Sequence, residues 1–68
     1  MSDRIYGTVL SFDDGMGLGE VQAADGTRLH FHCVELSDGT RSVEVGATVR
    51  FRVSAKLGRY EATDVTRA

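Results

Sequence analysis

Gly15-Met16-Gly17-Leu18-Gly19-Glu20-Val21 places a glycine at every second position, directly before and inside a predicted strand. Glycine weakens a strand, because it has no side chain to pack and loses much backbone entropy on folding. Since side chains alternate across a strand, the glycines leave one face nearly bare, and Met16, Leu18 and Glu20 project from the other. The pattern is typical of a sheet that bends sharply or that another group approaches closely.

Alternating apolar residues and turn signals predict five short strands along the chain. Their predicted ranges are from near Ile5 to Phe12, Gly17–Gln22, Arg28–Cys33, Thr48–Ser54 and Tyr60–Val65. The connections carry Asp-Gly and Val-Gly pairs, a polar loop over Ser37–Ser42 and a turn over Lys56–Arg59. Asp and Gly are common in such turns, because Asp supports local hydrogen bonds and Gly adopts positive φ.

These strands predict a small closed or nearly closed antiparallel β-barrel, because closure leaves no exposed strand edge. The fourth strand has the clearest period of two, with Val49, Phe51 and Val53 expected inside. No segment shows sustained helical periodicity. In a tightly coiled sheet, the glycines of the second strand would serve as bending points.

Composition and charge restrict the class of protein. The 68 residues, 41% hydrophobic and 26% charged, fit one soluble globular domain over residues 1–68. The formal net charge of −2 counts against a large basic nucleic-acid footprint but leaves room for a small local patch. The single cysteine, Cys33, fits a reducing cytoplasm, and neither a membrane span nor a signal-peptide pattern is present.

The order of motifs resembles the cold-shock domain family. Gly7-Thr8-Val9-x-x-Phe12 resembles that family's Gly-x-Val-Lys-Trp-Phe, and Gly17–Val21 falls where it has Gly-Phe-Gly-Phe-Ile, its first ribonucleoprotein motif. Leu29–Cys33 falls where it has Val-Phe-Val-His-Phe, the second motif. The resemblance implies a five-stranded oligonucleotide-binding (OB) fold that binds single-stranded RNA or DNA. It also implies a bacterial, cytoplasmic protein that acts in a stress response.

The departures from the family pattern lie on its binding face. Aromatic residues of the family are replaced by Ser11, Leu18, Glu20, His30 and Cys33. Because each base–aromatic contact contributes roughly 1–3 kcal/mol, affinity well below that of a relative with the full aromatic platform is expected. Two features of the motifs survive, a Phe at position 12 and the binding-face histidine at position 32.

The residues expected to bind nucleic acid are Phe12, Leu18, His30, His32, Arg59 and Tyr60. The phenylalanine would support the site from beneath, and the leucine would offer an apolar surface. The histidines would stack on bases or donate hydrogen bonds, while the Arg-Tyr pair would clamp the backbone.

Other interpretations of these residues stay open. The histidines can be solvated side chains on an outward face, and the loop at Arg59 can be a simple charged turn. Glu20, His30 and His32 include the ligand types of a facial metal triad, although their spacing matches no known metal signature. Met16 and Leu18 can form an exposed apolar patch for a protein partner instead.

No catalytic constellation or cofactor motif is present in the sequence, so the expected activity is binding and not catalysis. The expected state of assembly is a monomer or a weak dimer.

Overall fold

Five strands form a closed barrel in the computed structural model, which describes residues 4–37, 39 and 42–68. The strands are β1 (Ile5–Asp13), β2 (Leu18–Ala23), β3 (Arg28–His32), β4 (Thr48–Lys56) and β5 (Arg59–Arg67). All five predicted strands are confirmed. The third ends one residue earlier than predicted, because Cys33–Glu35 forms a 3₁₀ turn. Part of the loop predicted over Ser37–Ser42, at positions 38, 40 and 41, lies outside the described residues.

One strand pair corrects the expectation of a purely antiparallel sheet. The order around the barrel is β1-β2-β3-β5-β4, and β3 pairs with β5 in parallel, at His30 and Glu61. The other four pairs are antiparallel. A closed ring with an odd number of strands cannot alternate direction at every step, so closure requires at least one parallel pair.

The core consists of apolar side chains that alternate along the strands and two more from the connection after β3. The buried hydrophobic residues are Val9, Val21, Ala23, Leu29, Phe31, Leu36, Val43, Val49, Phe51, Ala62 and Val65. In the described part of the chain, no buried residue is polar or charged. Among the same residues, no helix has the length and hydrophobicity that crossing a membrane requires.

Val53 lies on the inward side of β4, as predicted, but it is not buried. Val49 and Phe51 have no exposed surface, as predicted, but 39% of Val53 is exposed. Val53 continues the inward side of β4 beyond the point where the barrel is filled, and it lines an open cleft there. Where a strand extends beyond the core, its side chains still alternate between the two faces, but those on the inward side are no longer buried.

A bulge in β5 is held by side chains from distant parts of the chain. Here β5 has one extra residue relative to β4, and Asp64 adopts a φ of 51°. The Arg4 guanidinium donates to the Asp64 carboxylate and to Thr66 Oγ1, and the Asp64 N–H donates to Glu35 Oε1 at 3.1 Å. These contacts tie the start of β1 and the 3₁₀ turn to the bulge.

The alternating glycines serve different purposes. Gly15 lies in the turn, and Gly17 ends that turn with a φ of 69°, so the bare strand face expected from three glycines does not form. Gly19 alone of the three lies within β2. A Cβ on Gly19 would lie 2.6 Å from ring carbons of Phe31 and 2.9 Å from Phe12. Close approach of two aromatic rings therefore explains this glycine.

Candidate nucleic-acid interface

Two rows of side chains cross the outward face of β1, β2 and β3. In the first, Ser11 pairs with Glu20 and Glu20 with His30; in the second, Asp13 pairs with Leu18 and Leu18 with His32. We call these six residues the outer face. The structure therefore brings Leu18, His30 and His32 onto one surface, where all three are exposed. Glu20 is the neighbour of His30, while the neighbour of His32 is Leu18.

The first row continues onto β5, where Glu61 pairs with His30. Glu61 follows Tyr60 and precedes the buried Ala62, so its side chain lies on the outward side of the barrel. His30 thus lies between carboxylates on both neighbouring strands. Sequence reasoning missed Glu61, because the sequence carries no signal for a parallel pairing between strands separated by β4.

His32 forms a structural hydrogen bond through one ring nitrogen, and its other ring nitrogen stays available to a ligand. Its Nδ1 accepts the N–H of Val34 at 3.3 Å, which caps the 3₁₀ turn after β3. Cys33 Sγ lies 3.8 Å from the same nitrogen. A nitrogen that accepts a hydrogen bond carries no proton, so the neutral ring has its proton on Nε2. That N–H and the exposed ring remain for a ligand.

Phe12 lies beneath the outer face and not on it. It is half-buried, packs against the core, and stacks on Phe31 with ring centroids 5.9 Å apart. Because Phe12 and Phe31 both pair with Gly19, the two rings meet across β2. This stack supports β1, β2 and β3 from the inside, so Phe12 lies on the opposite side of the sheet from the outer face.

Arg59 and Tyr60 lie on opposite sides of β5. Tyr60 is on the same side as the buried Ala62 and lines the open cleft with Val53. Arg59 is on the side of Glu61 and is exposed. Consecutive residues of a strand point to opposite faces, so the structure separates Tyr60 from the outer face and leaves Arg59 as the nearer of the two.

A basic pair flanks one end of the outer face. Arg28 precedes His30 by two residues on β3, and Arg59 precedes its partner Glu61 by two residues on β5. Extending the parallel register by two residues from the His30–Glu61 pair brings the two arginines to neighbouring positions on the outward side, and Arg28 also reaches the open cleft. Both are exposed. Sequence reasoning missed Arg28, because only the pairing with β5 gives it a basic neighbour.

The opposite end of the outer face is apolar and acidic. Met16 and Leu18 are 67% and 42% exposed, while Leu10 is half-buried beside a bulge in β1. Asp13 Oδ1 accepts the N–H groups of Gly15 and Met16 at 2.9 and 3.2 Å, which orders the turn before β2. This end therefore offers a fixed apolar surface beside a carboxylate.

The metal hypothesis finds no support in the arrangement of these side chains. Over the described ranges, no three His, Cys, Asp or Glu side chains lie close enough together to hold a metal ion. Glu20 and His30 are neighbours, but His32 is a row away, beside Leu18. The structure therefore does not bring the three side chains of the set Glu20, His30 and His32 together.

The outer face and the adjoining arginines can bind bases and phosphates in separate places. His32 and Leu18 offer ring and apolar contact at one end, and Arg28 with Arg59 offers positive charge at the other. Between them, Glu20 and Glu61 repel phosphate, since like charges about 7 Å apart in water repel by about 0.6 kcal/mol. The arrangement suits a nucleic-acid strand whose bases contact the end with His32 and whose phosphates contact the end with Arg28 and Arg59.

Comparison with known proteins identifies the domain type. The model of the family described as the 'Cold-shock' DNA-binding domain matches residues 5–68. The solved structure "drosophila Unr CSD456" is similar, with a TM-score of 0.80 and 27% sequence identity. The similarity covers 96% of this chain and 26% of that chain, so this chain spans about a quarter of it. Among curated proteins, no sequence matches this chain significantly.

Proposed function

This chain belongs to the cold-shock domain family, whose members are non-enzymatic domains that bind single-stranded nucleic acid, and we propose that it binds single-stranded RNA or DNA weakly. The proposed surface is the outer face with the adjoining Arg28 and Arg59. The observation that carries the proposal is the pairing of Leu18 with His32 on the exposed side of β2 and β3. It sets a ring and an apolar side chain next to each other at the family's motif positions.

Weak binding follows from what surrounds this pair. No side chain of the outer face is a Phe, Tyr or Trp, so histidine supplies its ring contacts with bases. Imidazole stacks on bases less strongly than the larger aromatic rings that the family uses. Asp13, Glu20 and Glu61 also lower the affinity for a phosphate backbone, most strongly at low salt.

A titration with a fluorescent poly-pyrimidine DNA strand at low salt tests the proposal. Binding that weakens as salt rises is expected, because Arg28 and Arg59 replace counterions on the phosphates. His32→Asn is the sharpest variant: Asn keeps a side-chain acceptor for the N–H of Val34 but lacks a ring, so affinity should fall while the fold persists. Val45→Asn, at an exposed turn position away from the outer face, should bind as the wild type does.

Absence of binding at high micromolar strand concentration would contradict the proposal. It would favour a second function, a protein-interaction module that uses the barrel without nucleic acid. The exposure of Met16 and Leu18 beside Asp13 is the observation that favours this second function. A cytoplasmic location and a role in a stress response are parts of the proposal that rest on family resemblance.

A further inference from the structure

The tip of the β4–β5 hairpin presents an apolar side chain in a backbone conformation that disfavours it. Leu57 and Gly58 form the two-residue turn, with φ values of 50° and 83°. Turns with two positive φ values favour Asn, Asp or Gly at the first position, because a larger side chain is strained there. Leu57 is nevertheless fully exposed, at 105%. Within one copy of the chain, the backbone strain at Leu57 is therefore not offset by packing of its side chain.

The same end of the barrel holds an open apolar cleft of about 650 Å³. Ile5, Leu29, Val53 and Tyr60 line it, and three of them are well exposed, at 38% (Ile5), 39% (Val53) and 69% (Tyr60). Leu57 lies four residues beyond Val53, just past the end of β4, which places the hairpin tip about 13 Å farther out. The molecule thus has an apolar projection and an apolar recess at one end.

From this arrangement we infer that the cleft receives Leu57 from a second copy of the chain, and that the second cleft receives the first Leu57. When two copies meet through this end, the projection of each can enter the recess of the other, which gives a closed two-fold dimer. A recess of this volume accommodates a leucine side chain without rearrangement of the barrel. The contact also covers Tyr60 and Val53, which the monomer leaves exposed.

The charges around the cleft suit a second copy. Asp25 and Arg28 both line its rim. In a two-fold arrangement, a rim that carries both signs can place each carboxylate near a guanidinium of the other copy. A partner with a uniformly basic or acidic surface would meet a like charge on one side of the same rim. Each copy contributes one leucine and one cleft to the contact, so the dimer is expected to be weak and to dissociate on dilution.

Sedimentation of the whole chain at increasing concentration, up to roughly 1 mM, tests the inference. The wild type should pass from monomer to dimer without larger species. Leu57→Asn should raise the dimer dissociation constant at least tenfold, while the thermal midpoint of the dilute monomer stays the same or rises, since Asn tolerates positive φ. Val53→Thr, which makes the recess less apolar, should also weaken the dimer.

Val45→Asn is the matched control, because Val45 is an exposed apolar turn residue outside the cleft. It should leave the dissociation constant unchanged. A wild type that stays monomeric throughout would overturn the inference, as would equal association of Leu57→Asn and wild type. An equal loss of association in Val45→Asn would overturn it too, since the contact would then be unspecific. These outcomes do not depend on nucleic-acid binding.

Discussion

The rings of Phe12 and Phe31 stack across Gly19, with centroids 5.9 Å apart and planes inclined by 20°. Each ring comes from a strand that flanks β2, and each partners Gly19 in the register. The two rings occupy the space that a side chain on β2 would need. A motif that suggests nucleic-acid binding in the sequence therefore also serves the packing beneath the outer face.

Gly19→Ala should destabilise the protein by about 1–3 kcal/mol, the usual cost of overpacking a core. The added Cβ would lie 2.6 Å from Phe31, and the surrounding β1 and β3 backbones restrict how far the rings can move. Urea unfolding measures the change. Gly15→Ala is the control: it is exposed, its Cβ would meet only the Asp13 carboxylate at 3.3 Å, and a near-neutral effect is expected. Equal effects at the two positions would contradict this account of Gly19.

His32→Ala should cost about 0.5–2 kcal/mol of stability, the range for loss of a capping side chain, because the N–H of Val34 loses its acceptor. His32→Asn should retain most of that stability. His30 accepts no comparable backbone bond among the hydrogen bonds described, so His30→Ala should change the unfolding free energy less. If His30→Ala costs as much as His32→Ala, capping is not the reason.

The tautomer of His32 gives an independent measurement of the same contact. With the N–H of Val34 bound at Nδ1, nitrogen NMR of the neutral ring should show the proton on Nε2. A predominant Nδ1–H form would be incompatible with the cap.

Removing one carboxylate next to His30 should strengthen binding of single-stranded DNA. Glu20→Gln and Glu61→Gln are each expected to raise affinity about threefold at low salt, since repulsion of about 0.6 kcal/mol is relieved. The gain should shrink at high salt. Glu44→Gln makes the same change of charge at an exposed position outside the outer face and should have a smaller effect. Equal gains from all three variants would indicate net charge as the cause.

Asp25 should contribute stability that depends on pH. Its carboxylate accepts the backbone N–H of Thr27 at 2.9 Å, and hydrogen bonds from the backbone and side chain of Thr27 lower the pKa of Asp25. A lowered folded pKa means that the contribution is complete above the unfolded value of about 3.9 and is lost as pH falls through the folded value.

Comparing urea midpoints of wild type and Asp25→Asn between about pH 5 and pH 2 measures this contribution. Asn still supports the turn before Gly26 but does not titrate, so the wild type should lose its advantage over the variant below about pH 4. In Thr27→Ala the side-chain hydrogen bond is gone, so the NMR titration midpoint of Asp25 should rise. Parallel midpoints for wild type and Asp25→Asn throughout this range would contradict the assignment.

Sequence reasoning succeeded where the information is local. Alternation identified β4 through Val49 and Phe51, and the Asp25-Gly26 pair marked the β2–β3 hairpin, whose Gly26 has a φ of 93°. It gave the side on which Val53 lies but not its exposure, because alternation reports the side of a strand and not how far the filled core extends. It also overestimated the bare face of β2, since Gly17 belongs to the turn.

In the candidate site, too, some residue positions were predictable from the sequence and others were not. The family resemblance placed Glu20 beside both histidines, whereas the structure pairs Glu20 with His30 and Leu18 with His32. The positions of Glu61, Arg28 and Tyr60 were not predictable. Each depends on β5 closing the barrel against β3, and a contact between strands so far apart in sequence leaves no local pattern.

The amino-acid pattern alone was sufficient for the five strands, the Asp25-Gly26 turn and the family motifs, because these follow from side-chain alternation and from glycine in tight turns. Closure of the barrel decided the rest. It made one strand pair parallel, set Glu61 beside His30, and left Val53 and Tyr60 on an open cleft. These features depend on which strands meet in space and on where the core ends, so they arise only when the whole chain is folded.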